Sequence, residues 1–223
     1  MAYGAKALAY HRWYNKSDYK PDSVIKYVNL AFSSAADDAI VKFDQNPIVN
    51  DQRNFFGPAR QNLATFRNTE WLVNIMKGVY ANNVVDPRLA FIMKPAANGT
   101  FNGLRPGVGN TYSGTATTNN FWGFPNTANV AGGVDTAART YFKNSSPFPI
   151  MTYAQLQFVK SEAAFKKGDK TTARAAYIAG INGHFDHLAT MTGYTPITPA
   201  ARAAYLADVN IVPADANNLT RSQ

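Results

Sequence analysis

Residues 151–188 read MTYAQLQFVKSEAAFKKGDKTTARAAYIAGINGHFDHL, and this stretch decides the fold. Tyr153, Leu156, Val159 (with Lys160 as the alternative register) and Ala163 recur at helical spacing, which predicts an amphipathic helix. Gly168-Asp169 interrupts the pattern, and glycine readily takes the left-handed conformation that ends a helix. Thr171 or Thr172 is then expected to cap a second helix with the apolar face Ala173, Ala176, Tyr177, Gly180 and Ile181. The small side chains of Ala173 and Gly180 would let two antiparallel helices approach closely.

Working outward, the N-terminal stretch has the same organisation. Ala5, Leu8, Ala9 and Trp13 form a stripe, Asn15–Tyr19 is a polar break, and Pro21-Asp22-Ser23 opens a second helix. Val24, Tyr27, Val28, Ala31 and Phe32 are expected to face inward. In the 151–188 hairpin, Gly168-Asp169, Ala173 and Tyr177 carry the spacing of a tetratricopeptide repeat around its turn and second helix. Two such hairpins, over residues 1–43 and 151–188, are too few for a solenoid that stands alone.

Between them, residues 44–150 are rich in Pro, Gly and Asn. One helix fits there, roughly Thr69–Tyr80, with Trp71, Leu72, Ile75 and Val79 on one face. Leu89–Met93 fits a short strand or an extended segment, and the rest reads as long ordered loops forming a ligand face. A loop region of that length is uncommon unless it is functional, and its aromatic content argues against disorder. The tail, 189–223, has one predicted helix at about Pro199–Asp208, with Ala201, Ala204, Tyr205 and Asp208 along one face. Beyond Pro213 no terminating element is expected. The fold class is therefore mainly α, helical hairpins with long ordered loops.

Composition narrows the function. The chain has 223 residues, no cysteine and a formal charge of +8, from 22 Lys and Arg against 14 Asp and Glu. The absence of cysteine excludes a disulfide framework, a Cys-type zinc site and a thiol nucleophile. No apolar run is long enough to cross a membrane as a helix, and the N-terminus has no charged and apolar leader pattern. Glutamate occurs only as Glu70 and Glu162, so the positive charge reflects scarce acids rather than a basic block. Its dispersal argues against a nucleic-acid partner, which would require a concentrated basic face.

Catalytic and metal constellations are weak. His184 and His187 would share a helix face, but no convincing third metal ligand lies nearby, and histidine also suits a helix C-terminus. Glu162 reads as an acid bonded to a neighbour within the hairpin. Asp51 and Asp135 lie in loops without an assignable second acid for glycoside hydrolysis. No Gly-x-Ser-x-Gly elbow occurs, and Gly107-Val108-Gly109 lacks the glycine and lysine of a phosphate loop. No cofactor, metal or catalytic residue is expected.

The loop Thr111–Asn129 carries the clearest ligand-binding composition: Tyr112, Asn119, Asn120, Phe121 and Trp122, followed by Phe124 and Asn126. Aromatic faces stack on the apolar faces of sugar rings, while Asn amides both donate to and accept from hydroxyls. The loop suits a neutral, hydroxyl-rich ligand. The same rings would also serve to anchor the loop to a core.

Pro147-Phe148-Pro149-Ile150-Met151-Thr152-Tyr153-Ala154-Gln155-Leu156-Gln157-Phe158, then Ser161-Glu162-Ala163 and Gly168-Asp169, resembles the hallmark segment of SusD/RagB proteins. Asn68-Thr69, Leu72, Asp86-Pro87-Arg88-Leu89 and Phe101-Asn102-Gly103-Leu104 are similar to a run found in a SusD-like subgroup. The resemblance extends from the first hairpin to about residue 190. It implies a scaffold of tetratricopeptide hairpins with ligand-binding loops and no catalytic residues. It also implies a lipoprotein at the outer-membrane surface of Bacteroidetes that captures oligosaccharide, or sometimes peptide, beside a SusC-like TonB-dependent transporter. Members are considerably longer and carry a signal peptide and a lipidated cysteine, neither of which is in this chain. The chain is therefore expected to be the middle of a larger protein, membrane-associated only through an anchor outside it. A hairpin scaffold lacking its neighbours would expose apolar surface and self-associate or be marginally stable.

The first expectation is thus non-catalytic capture of oligosaccharide or polysaccharide. The alternative is a helical-repeat scaffold presenting a groove to a peptide or partner protein. A glycoside hydrolase fragment ranks behind both.

Overall fold

A computed structural model describes residues 1–44, 52–57, 68–93, 95, 99–108, 140–191 and 196–220. Among these the chain is mostly α-helical. Its contacts divide it into a helical unit, residues 1–40, 149–190 and 198–223, and a loop-rich unit, residues 41–148 and 191–197.

In the helical unit, α1 (Ala2–His11) and α2 (Pro21–Asn29) form the first hairpin. Pro21 occupies the first turn of α2, where its missing N–H leaves no bond unmade. The inward face of α2 is the expected one, with Val24, Val28 and then Phe32 buried. The stripe expected on α1 holds only at Leu8, which packs half-buried against the core. Gly4 and Ala7 are buried, Ala5 and Ala9 are exposed, and Trp13 lies beyond the helix with 53% of its surface exposed. Glycine at position 4 lets Met151 and Leu156 reach the helix backbone, since a Cβ there would collide with both side chains.

After α2, a 3-10 turn at Ala35–Asp37 is held by a reciprocal cap. Ser34 Oγ accepts from the Ala36 N–H, and the Asp37 carboxylate accepts from the N–H groups of Ser33 and Ser34. Two short strands, β1 (Ala39–Val41) and β2 (Phe148–Met151), pair where the chain leaves the unit and re-enters it.

The second hairpin comprises α5 (Tyr153–Lys167) and α6 (Lys170–Ala189), with α3 (Glu70–Met76) and α4 (Leu89–Ile92) in the intervening loop-rich unit. Thr152 caps α5, its Oγ1 accepting from the Gln155 N–H at 3.1 Å, and Gly168 ends the helix at φ +90°. The cap of α6 is Asp169 rather than Thr171 or Thr172: its Oδ1 accepts from the Thr172 N–H at 3.0 Å. These bonds stabilise the ionised form and hold the Asp169 carboxyl below the usual carboxylate range. Close approach depends on Gly180 and Gly183, where a Cβ would lie 2.9 Å from the Phe158 ring and 2.6 Å from Tyr153.

The core of the unit runs through Ala7, Val24, Val28, Phe32, Met151, Leu156, Val159 and Ala163. Full burial of a leucine such as Leu156 is worth about 1.5–3 kcal/mol. A polar staple joins the segment after α2 to α5 and α6. Asp38 accepts from the Tyr153 N–H at 2.6 Å and from His187 Nδ1 at 2.7 Å, both side chains being almost fully buried.

Helix α7 (Pro199–Ala207) begins at Thr198, whose Oγ1 accepts from the Ala201 N–H. Along the predicted face Ala201 and Ala204 are exposed, while Tyr205 is half-buried against Phe185. Attachment comes also from Arg202, which donates to Asn182 Oδ1 (2.6 Å) and Asp186 Oδ1 (2.7 Å) while its guanidinium lies over Phe185. The tail continues beyond Pro213 into a 3-10 turn, Ala216–Asn218, and buries Leu219 against Ala164 and Ala173. The expectation of no terminating element is corrected here.

The loop-rich unit contains α3 (Glu70–Met76) and α4 (Leu89–Ile92). Helix α3 is shorter than the expected Thr69–Tyr80 and buries Val73 and Met76, leaving Trp71 65% exposed and Ile75 and Val79 outside. Leu89–Met93, expected as a strand or extended segment, is a single helical turn followed by extended Met93. Asp86 explains this: Oδ1 accepts the Arg88 N–H at 2.8 Å, and the Arg88 guanidinium grips both carboxylate oxygens at 2.5–3.1 Å. Val73, Met76, Leu89 and Met93 form the unit's apolar cluster.

Candidate functional site

The five residues expected to bind ligand, Tyr112, Asn119, Asn120, Phe121 and Trp122, lie outside the described residues. Asp51 and Asp135 lie outside them too. His184 and His187 stack with ring centroids 6.3 Å apart, but His187 is committed to the Asp38 staple. Among the described residues no three His, Asp or Glu side chains gather as a metal site.

The motifs that carried the family resemblance turn out to be architectural. Asp86-Pro87-Arg88 folds back on itself as described. Gly103 lies against the backbone of Thr69 and Glu70, where a Cβ would come within 2.5 Å, and this contact accompanies the parallel bridge between Thr69 and Leu104. Gly168-Asp169 is the hairpin turn.

A pocket does open in the helical unit. It encloses about 300 Å³ and is walled by Tyr14, Phe158, Phe165 and Tyr177, with Ser161, Glu162, Leu219 and Thr220 completing it. On α5, Phe158, Ser161, Glu162 and Phe165 follow the i, i+3, i+4, i+7 pattern of a single helix face. The core stripe, Leu156, Val159 and Ala163, lies on another face of the same helix. The second stripe mixes polar and aromatic side chains and so carries no apolar periodicity.

Several of the lining residues are tied into the unit. The Tyr177 hydroxyl donates to the Ile211 carbonyl at 3.1 Å, and Ser161 Oγ donates to the Ala173 carbonyl at 2.8 Å. Tyr14 packs edge-on against Tyr19 and tilted against His11, with Lys166 Nζ 5.0 Å from its ring centroid. Lys170 Nζ lies 5.7 Å from the centre of Phe165. Glu162 is bonded to the first hairpin, not within its own as the sequence suggests: His11 Nε2 donates to Oε2 at 2.9 Å, while His11 Nδ1 lies 3.0 Å from the Tyr19 hydroxyl. Burial above all pushes the Tyr19 phenol up to about 12, helped by the negative charges of Tyr14 and Glu162. The arrangement offers ring faces for stacking, a carboxylate held in place and a hydroxyl from Thr220.

A family model described as "Starch-binding associating with outer membrane" matches residues 14–219. Three solved structures are similar over nearly the whole chain. A SusD homolog from Bacteroides fragilis NCTC 9343 is 17% identical with a TM-score of 0.60, over 92% of this chain and 45% of its own. A chitin-binding protein is 20% identical with a TM-score of 0.57, over 91% and 43% respectively. A Bacteroidetes SusD-like protein is 17% identical with a TM-score of 0.59, over 93% and 50%. The chain thus spans half the length of these proteins or less, and at such identities the likeness shows the fold. No curated protein sequence matches it.

Proposed function

Because the chain belongs to the SusD-like family of starch-binding proteins associating with the outer membrane, we propose that it captures oligosaccharide without catalysis at the bacterial cell surface. In this reading the glycan passes to a SusC-like TonB-dependent transporter, and a lipid anchor outside this chain holds the protein at the membrane. The observation that carries the reading is the family match over residues 14–219. The loop composition supports it: Trp122, Tyr112 and Phe121 offer stacking faces, and Asn119 and Asn120 offer paired donors and acceptors for hydroxyls. Each stacked ring is worth about 0.5–1.5 kcal/mol, so several subsites are needed for useful affinity.

Calorimetric titration with maltoheptaose and chitohexaose tests this. At least one should bind, and Trp122→Ala should raise its Kd about three- to tenfold. Unchanged affinity would remove Trp122 from the site, and silence from both sugars and from a wider glycan array would overturn the reading. A second reading, a helical scaffold that binds a peptide, is favoured by the aromatic pocket's lying on the hairpin unit. Binding of a partner peptide with no response to any glycan would establish it instead.

A further inference from the structure

We infer that the pocket walled by Tyr14, Phe158, Phe165 and Tyr177 is a saccharide subsite in its own right, taking one neutral pyranose ring. The inference rests on the glycan-binding reading above and adds a site on the helical hairpins to the one proposed in the loops.

Its volume, about 300 Å³, is at the lower end for small-molecule sites and suits a single sugar ring rather than a larger ligand. Chemistry then selects among occupants of that size. An aromatic cage with a carboxylate would ordinarily suit an organic cation. Here Lys166 and Lys170 already lie over two of the wall rings, at 5.0 and 5.7 Å, and their charges oppose a third cation. An anion would meet the Glu162 carboxylate at the lining. A wholly apolar group would strip water from Glu162 and Thr220 without replacing their hydrogen bonds. A neutral pyranose avoids all three conflicts. Its C–H face stacks on the rings, and its hydroxyls donate to Glu162 and exchange hydrogen bonds with Thr220. His11 and Tyr19 hold the carboxylate in position before the sugar arrives, which lowers the ordering cost of binding.

The test is nuclear magnetic resonance titration of the chain with maltoheptaose and chitohexaose, read alongside calorimetry. Ring signals of Tyr14 and Tyr177 should shift with at least one sugar. Tyr14→Ala should raise its Kd about three- to tenfold. Thr220→Trp, which fills the pocket from an exposed position without removing a wall, should do the same if Tyr14→Ala perturbs folding. Ring shifts that persist in Trp122→Ala would show that the pocket acts independently of the loop. Sugar binding with silent pocket signals and unaffected pocket variants would overturn this inference and leave the glycan reading standing. No binding of either sugar by the unaltered chain would overturn the inference, and the wider glycan array then decides the glycan reading separately.

Discussion

The helical unit and the loop-rich unit satisfy their buried backbone by different means. In the first, α1, α2, α5 and α6 bond internally, and an apolar core runs continuously through them. In the second, helices are one or two turns long, and side-chain amides and hydroxyls take over. Asn54 is the clearest case: its Nδ2 donates to the Ser146 carbonyl at 2.6 Å, its N–H to the Asn144 carbonyl at 2.7 Å, and its Oδ1 accepts from Phe56. Ser146 Oγ donates in turn to the Thr140 carbonyl, and Thr140 Oγ1 to that of Phe91. Part of the asparagine and threonine content is therefore structural. Asparagine in this unit builds loops.

Cavity formation in the two units should give the largest effects and can break this contrast. Leu156→Ala removes a wholly buried side chain from the continuous core and should cost about 2–5 kcal/mol, toward the upper end. Met93→Ala, equally buried, lies in the smaller cluster with Val73, Met76 and Leu89 and should fall toward the lower end of that range. Urea unfolding of both variants measures the difference. Equal losses would mean that the loop-rich unit packs as tightly as the hairpins, and the distinction would fail.

The same contrast explains what the sequence could and could not convey. The 151–188 hairpin was legible because α5 and α6 are long enough for several periods, and because Gly168 marks the turn unambiguously. The inward face of α1 was not, since Gly4 is buried through its lack of a side chain and so carries no apolar signal. In α3 the periodicity failed for another reason. The helix ends at Met76, and two turns are too few to separate the Val73–Met76 face from the more hydrophobic-looking Trp71–Ile75 face. Leu219, a lone apolar residue in a polar tail, has no period at all, yet it closes the end of α5 and α6. For the pocket, the α5 stripe of Phe158, Ser161, Glu162 and Phe165 was in the sequence, but Tyr14 and Tyr177 reach it only through tertiary packing.

An intermediate effect should come from the amide staple. Asn54→Ala leaves the Ser146 carbonyl without its donor in a buried setting and should cost about 1–3 kcal/mol. Hydrogen exchange at the Phe56 amide, which loses its side-chain acceptor, should accelerate with it. A loss under a few tenths of a kcal/mol would show that the staple is incidental and that something else orders the loops.

The smallest effect sharpens the contrast, because amide staples do not titrate and the Tyr19–His11–Glu162 chain of the helical unit does. The Tyr19 phenol is pushed up to about 12, chiefly by burial, against about 10 in an unfolded chain. Between those values the unfolded state has released the proton while the folded state retains it, so stability must fall as pH rises. The contribution is complete below about pH 10 and is lost as pH climbs toward 12. Tyr19→Phe should cost about 0.5–1.5 kcal/mol at neutral pH through the lost bond to His11. Above pH 10 that deficit should shrink, since the variant has no phenol to ionise. Urea midpoints taken at intervals from pH 8 to pH 11.5 would follow it, and a deficit that stays constant would mean that Tyr19 titrates alike in both states. No deficit at neutral pH would mean instead that the bond to His11 does no more for the fold than water does, and the fixed placement of Glu162 beside the pocket would need another cause.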